Sequence, residues 1–302
     1  MSELLRALAV LCEPPAAGHE RLVAALELPA SPTASEHTDL FELQLPPYAS
    51  VHLGPEGMLG GEARDRAAGV WRALGLVPPA EPDHLATLLG LYATLSDTMG
   101  SDPSVSYAAR SETTGSDPFV SRFARALVLH EHLLSWLDPW LAKVAEIGAP
   151  AYRAWGELLG AVLRSESERL LAGDEPLPAQ LALAAPLEPP ERTGGGAFLD
   201  ALLAPARSGL ILTRDDLARA ARETGLALRV AERRYVLRNL MAQDAPATLG
   251  WLEEEARRAA DRPARVAPGA IARHWQQRAD GTARVLAHAR HQAEEREVTH
   301  AR

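Results

Sequence analysis

Leu85, Leu88, Leu89, Tyr92 and Leu95 recur at i, i+3, i+4, i+7 and i+10, a spacing that lays one continuous apolar stripe along a helix. Pro82 fits the first turn of that helix, where a missing N–H costs nothing. A second stripe steps by four and three through Phe119, Phe123, Ala126, His130, Leu133 and Leu137, after the start signal Asp117-Pro118. Ala and Leu repeat at helical spacing over most of the chain, and further helices are predicted at about 3–12, 16–27, 62–74 and 150–172. Strand formers are scarce, with isoleucine only at Ile147, Ile211 and Ile271. The predicted fold class is therefore all-α.

Segments 28–47, with four prolines, and 101–118, rich in Ser, Thr, Gly and Asp, read as non-helical. The second is a candidate hinge. A larger break runs from Gly173 to Gly196, with five prolines before Gly194-Gly195-Gly196, and predicts two domains, 1–190 and 191–302. Charge separates them: residues 1–190 carry 25 acidic and 12 basic side chains, residues 191–302 carry 15 and 19. The two parts face different surroundings.

The formal net charge of -9 over 302 residues disfavours nonspecific attachment to nucleic acid or anionic lipid. Cys12 is the only cysteine, which rules out an internal disulfide and a multi-thiolate metal cage and suits a reducing compartment. No uncharged apolar run approaches the roughly 18 residues of a membrane span. Glu3, Arg6 and Pro14-Pro15 make the amino terminus a poor secretory signal, so the expected location is the cytoplasm.

Signatures for a phosphate loop, a dinucleotide fold, a serine nucleophile elbow and a zinc-protease helix are all absent. His130 and His132 are two apart on a predicted helix and so cannot grip one ion; His130 falls on the apolar stripe, whereas His132 lies off it and is expected to face outward. His288 and His291 lack a third ligand and read as a solvated face. No metal or cofactor is expected. The string Glu81-Pro82-Asp83-His84 gathers acid and imidazole at a helix start. Spacing alone favours a cap by Asp83; the alternative is a polar site in which Asp83 orients His84 toward a ligand.

That string, with Leu85 after it, resembles the Pro-Asp-His-Leu element of the TorD/DmsD family, chaperones for exported molybdenum redox enzymes. Leu40-Phe41, Pro46-Pro47-Tyr48-Ala49-Ser50-Val51 and Leu59-Gly60-Gly61 are similar to its upstream segment, and His132-Leu133-Leu134-Ser135-Trp136-Leu137-Asp138-Pro139-Trp140 to its second element. The three occur in the family order within residues 1–172. Ser135 and Asp138 stand where relatives carry proline. The resemblance implies a TorD-like helical bundle in two parts joined by a hinge, with a helical carboxy-terminal extension. It implies a cytoplasmic chaperone, not an enzyme, that binds the twin-arginine signal peptide or apo-catalytic subunit of a molybdopterin oxidoreductase. Its contact residues would be Asp83 and His84, with Glu81 and Pro82 shaping the approach, then His132 and Trp136, and more weakly Tyr48 and Phe41. A homodimer formed by exchange across 101–118 is a further expectation from relatives.

Two rival readings stand beside it. Residues 213–241 outline helix, Gly225, helix, with Arg229, Arg233, Arg234 and Arg238 as phosphate or base contacts of a helix-turn-helix regulator. Ala231 and Arg234 sit where a recognition helix would bury larger apolar groups, and the chain is acidic. A nucleotide hydrolase is the other, without a phosphate loop to support it.

Overall fold

A computed structural model describes residues 1–55, 57–97, 118–173, 175–266 and 269–300. The chain runs through α1 (Ser2–Val10), α2 (His19–Ala25), α3 (Ala34–His37), a π-helical stretch Thr38–Gln44, α4 (Ala49–Leu53), α5 (Gly61–Ala73), α6 (Leu85–Asp97) and α7 (Pro118–Leu127). A second π-helical stretch, Val128–Leu134, joins α7 to α8 (Ser135–Ile147), followed by α9 (Pro150–Leu170) and α10 (Ala179–Leu183). Then come α11 (Pro190–Thr193), α12 (Gly195–Leu203), α13 (Pro205–Ser208), α14 (Arg214–Thr224), α15 (Arg233–Gln243), α16 (Ala245–Ala260) and α17 (Gly269–His300). No strand occurs among the described residues, and the fold is all-α. The hinge expected over 101–118 lies outside them except for Pro118, which opens α7.

Three elements differ from expectation. Residues 28–47 contain α3 and its π continuation, because Pro29, Pro32, Pro46 and Pro47 all fall outside 34–44. A capping box starts the helix: Thr33 accepts from the Glu36 amide, and Glu36 accepts from the Thr33 amide at 2.8 Å. α6 begins at Leu85, so Pro82 sits in the loop before it. The stripe of α7 breaks, with Phe123 63% exposed.

Two apolar clusters hold the chain. The first gathers α1, α6, α8 and α9 around Phe41, Trp136, Trp140, Tyr152 and Trp155. Phe41 stacks on Trp140 with centroids 5.9 Å apart and meets Tyr152 edge-on at 4.8 Å. The second gathers α12, α14, α15 and α16 with the middle of α17, around Phe198, Leu202, Leu237, Leu252 and Leu286. The first turns of α17 belong to the first cluster instead, through Ile271 and Trp275. Gly209 permits the close pass of α13 against α17: it is left-handed at φ 75°, and a Cβ there would lie 2.5 Å from the Ala279 nitrogen.

Pro139 stands inside α8. It has no N–H to give to the carbonyl of Ser135, four residues back. The indole Nε1 of Trp275 donates to that carbonyl at 3.1 Å. One turn on, the Asp138 carboxylate accepts the amide N–H groups of Arg265 and Val266 at 2.8 and 2.7 Å. Ser135 and Asp138, the two departures from the proline pattern, are thus where the carboxy-terminal part seats. Nearby, buried Lys143 donates to Asp216 at 3.1 Å and pairs with Glu146 at 2.9 Å. Asp216 also completes the Thr213 capping box that starts α14. Burial pushes its carboxyl up, but Lys143, Thr213 and Arg219 outweigh that and hold it below the usual range. Gln44 and Asp215 exchange hydrogen bonds across the same junction at 2.9 and 3.2 Å.

Candidate functional site

The Glu81-Pro82-Asp83-His84 string forms a corner against the loop before α4. The Ala49 amide donates to the Asp83 carbonyl at 3.0 Å and the Leu85 amide to the Pro47 carbonyl at 2.8 Å, bridging Tyr48 and His84 antiparallel. Asp83 is 1% exposed, and its carboxylate accepts the Ser50 N–H at 3.0 Å. It is therefore a cap, but for α4 and not for its own helix. Capping α6 falls to His84, whose Nδ1 lies 3.3 Å from the Ala86 amide nitrogen. The same Nδ1 lies 3.4 Å from Glu13 Oε1. A neutral ring accepts from the amide; a protonated one turns to the carboxylate. Burial lowers the His84 pKa foremost, against the pull of Glu13, Glu81 and Asp83. The Tyr48 ring meets the imidazole edge-on at 4.7 Å, and burial together with a hydrogen bond to Glu81 raises its phenol pKa.

What the corner offers outward is a pair of carboxylates. Glu81 is exposed, and the Glu13 side chain is half exposed. Between them lie His84 and partly buried Tyr48. Two carboxylates beside aromatic surface suit a guanidinium, which binds carboxylate through forked N–H donors and stacks on rings. Glu13 escaped the sequence reading because 71 residues separate it from His84 and nothing in its spacing marks it.

The other candidates lie inside. Phe41 is part of the aromatic core, and Trp136 is fully buried, its Nε1 donating to the His132 carbonyl at 2.8 Å and its ring stacked on His52 at 5.1 Å. Both shape the core beneath the corner and present no contact surface. His132, expected to face outward, is 6% exposed. The stretch Val128–Leu134 is buried all round, with only Glu131 of its seven residues part-exposed, so a position off the apolar stripe is covered as well. Burial lowers the His132 pKa to about 4, with Arg66 adding to it and Glu131 opposing. Pro82 is buried beneath the corner. Among the described residues, no three His, Cys, Asp or Glu side chains are grouped to hold a metal ion.

The helix-turn-helix outline does not hold. Residues 225–232 separate α14 from α15, where the motif uses a turn of about three or four residues. Arg233 is turned inward to donate to the Leu212 carbonyl at 2.8 Å, and Arg234 pairs with Asp200.

Residues 10–142 match the family model described as nitrate reductase delta subunit. That segment is similar to this family. It spans the corner and the His132 to Trp140 element, in agreement with the resemblance to redox-enzyme maturation chaperones. The family is one of molybdoenzyme maturation chaperones, and nothing in the match favours DNA binding. No curated protein and no solved structure matches the chain. No helix among the described residues is long and apolar enough to cross a membrane.

Proposed function

We propose that this protein is a non-catalytic cytoplasmic chaperone that holds the immature catalytic subunit of a molybdopterin oxidoreductase by its twin-arginine signal peptide. On this reading residues 1–190 form the chaperone domain, and residues 191–302 form an extension that braces it. The observation that carries the proposal is the pair of exposed carboxylates, Glu13 and Glu81, flanking Tyr48 and His84 inside the segment matched by the family. Two adjacent guanidinium groups need such a pair. Asp83 and His84 take part by fixing the corner, since Asp83 is committed to the Ser50 amide.

The test is calorimetric titration of the full chain with a synthetic leader peptide from a molybdoenzyme encoded next to this protein, against a version with both arginines changed to lysine. Glu13→Gln with Glu81→Gln is expected to weaken binding by roughly tenfold or more at unchanged melting temperature, since each carboxylate lost removes about 1.5–3 kcal/mol of charge-assisted bonding. Undiminished affinity in that variant removes the corner from the site. Equal binding of the lysine peptide refutes guanidinium recognition.

A further inference from the structure

Residues 184–190 run as a strap beside α17. The Leu187 amide donates to the Arg207 carbonyl at 3.0 Å, and Arg278 Nη2 donates to the Ala184 carbonyl at 2.9 Å. Between strap and helix lies a cavity of about 560 Å³, walled by Pro186, Leu187 and Val285 and by His274, Arg278 and Thr282. Residues 274, 278, 282 and 285 follow steps of four, four and three, so they share one face of α17. His274 Nε2, Arg278 Nη1 and Thr282 Oγ1 are buried without a hydrogen-bond partner, and so is Arg207 Nε close by. Thr282 is 1% exposed.

The electrostatics agree with the geometry. After burial itself, the neighbouring Arg207 lowers the Arg278 pKa, and Arg278 likewise adds to the burial that brings His274 down to about 4. No carboxylate counters either shift. Among the described residues neither Arg207 nor Arg278 enters an ion pair, whereas Arg219, Arg234, Arg257 and Arg290 all do. Buried polar atoms in folded proteins are nearly always paired, and Arg207 and Arg278, each part-buried, neighbour one another without a counter-ion.

We propose that this cavity binds the phosphate group of a small phosphorylated molecule. A phosphate dianion matches in charge the Arg278 guanidinium in the wall and that of Arg207 behind it, and its oxygens supply acceptors for Arg278 Nη1, Thr282 Oγ1 and the N–H tautomer of His274 Nε2 once side-chain rotation turns these buried atoms to the cavity. The cavity is many times the volume of the anion and falls in the range of small-molecule sites. Pro186, Leu187 and Val285 receive the rest of the ligand.

The full chain is titrated calorimetrically at constant ionic strength with inorganic phosphate, with ribose 5-phosphate and with ribose. Saturable one-to-one binding of phosphate and of the ester, with none of ribose, is the expected result; the stronger of the two binders tells the free ion from the ester. Arg278→Gln and the isosteric Thr282→Val are each expected to weaken binding by roughly tenfold, with Arg278→Lys between wild type and Arg278→Gln. If Arg278→Gln fails to fold, Thr282→Val carries the test. The proposal is overturned if neither phosphate nor ester binds the wild-type chain at about 10 mM, a limit of very weak affinity, or if both bind Thr282→Val as they bind wild type.

Discussion

Asp83 shows what one buried carboxylate is for. Its charge is spent on the Ser50 amide at the start of α4, so Asp83→Ala is expected to cost about 1–2 kcal/mol in urea unfolding. Any loss of client binding in that variant then follows the loss of structure, unlike the Glu13 and Glu81 changes. His52 and His132 are buried, and burial brings each pKa to about 4. His52 donates from Nε2 to the Pro46 carbonyl at 2.9 Å, and its Nδ1 has no partner to welcome a proton. The unfolded chain protonates both rings near pH 6.5 while the folded chain does not until about pH 4. Stability is therefore full above pH 6.5 and is lost as pH falls toward 4, by roughly 1–3 kcal/mol per ring. His52→Phe, which keeps a ring against Trp136, is expected to flatten that acid limb when unfolding is followed from pH 7 to 4.

Elements meet here through groups that local structure leaves unsatisfied. Pro139 in a helix was visible in the sequence, and with it the orphaned carbonyl of Ser135. That Trp275, 140 residues away, would supply the missing donor was not. Trp275→Phe is expected to cost about 1–3 kcal/mol beyond the lost indole packing, because it buries an unpaired carbonyl. Pro139→Ala restores an intrahelical donor, so a double-mutant cycle by chemical denaturation should show the penalty of Trp275→Phe shrinking in that background. The same limit explains His132. Periodicity marks one apolar face, and it does not reveal that the opposite face of Val128–Leu134 is covered too by packing from elsewhere in the chain.

Over the whole molecule, the second cluster is a brace on the first. Lys143 and Asp216 bury opposite charges at the junction, and α17 reaches into the first core with Ile271 and Trp275. A chain ended at residue 190 takes Asp216 from Lys143, the Arg265 and Val266 amides from the Asp138 carboxylate and the Trp275 indole from the Ser135 carbonyl, all together. It is expected to melt at a lower temperature than the full chain and to bind a dye for exposed apolar surface. Lys143→Ala in the full chain leaves Asp216 with Arg219 and its capping box, so the loss should be smaller than the 3–5 kcal/mol typical of a buried pair broken outright. Thermal scans of both variants check this order.

The all-α class, most helices, the Thr213 start signal and the Pro-Asp-His corner were legible in the sequence, because each rests on residues close together in the chain. Spacing, prolines and caps act over a few residues, and the family pattern is itself written in short strings. What only the tertiary structure decided are the partners: Glu13 beside His84, Asp83 capping α4 instead of α6, Trp275 on Ser135, Lys143 on Asp216. Each of these joins groups far apart along the chain whose meeting depends on how helices pack, and packing is a property of whole surfaces that no local pattern encodes.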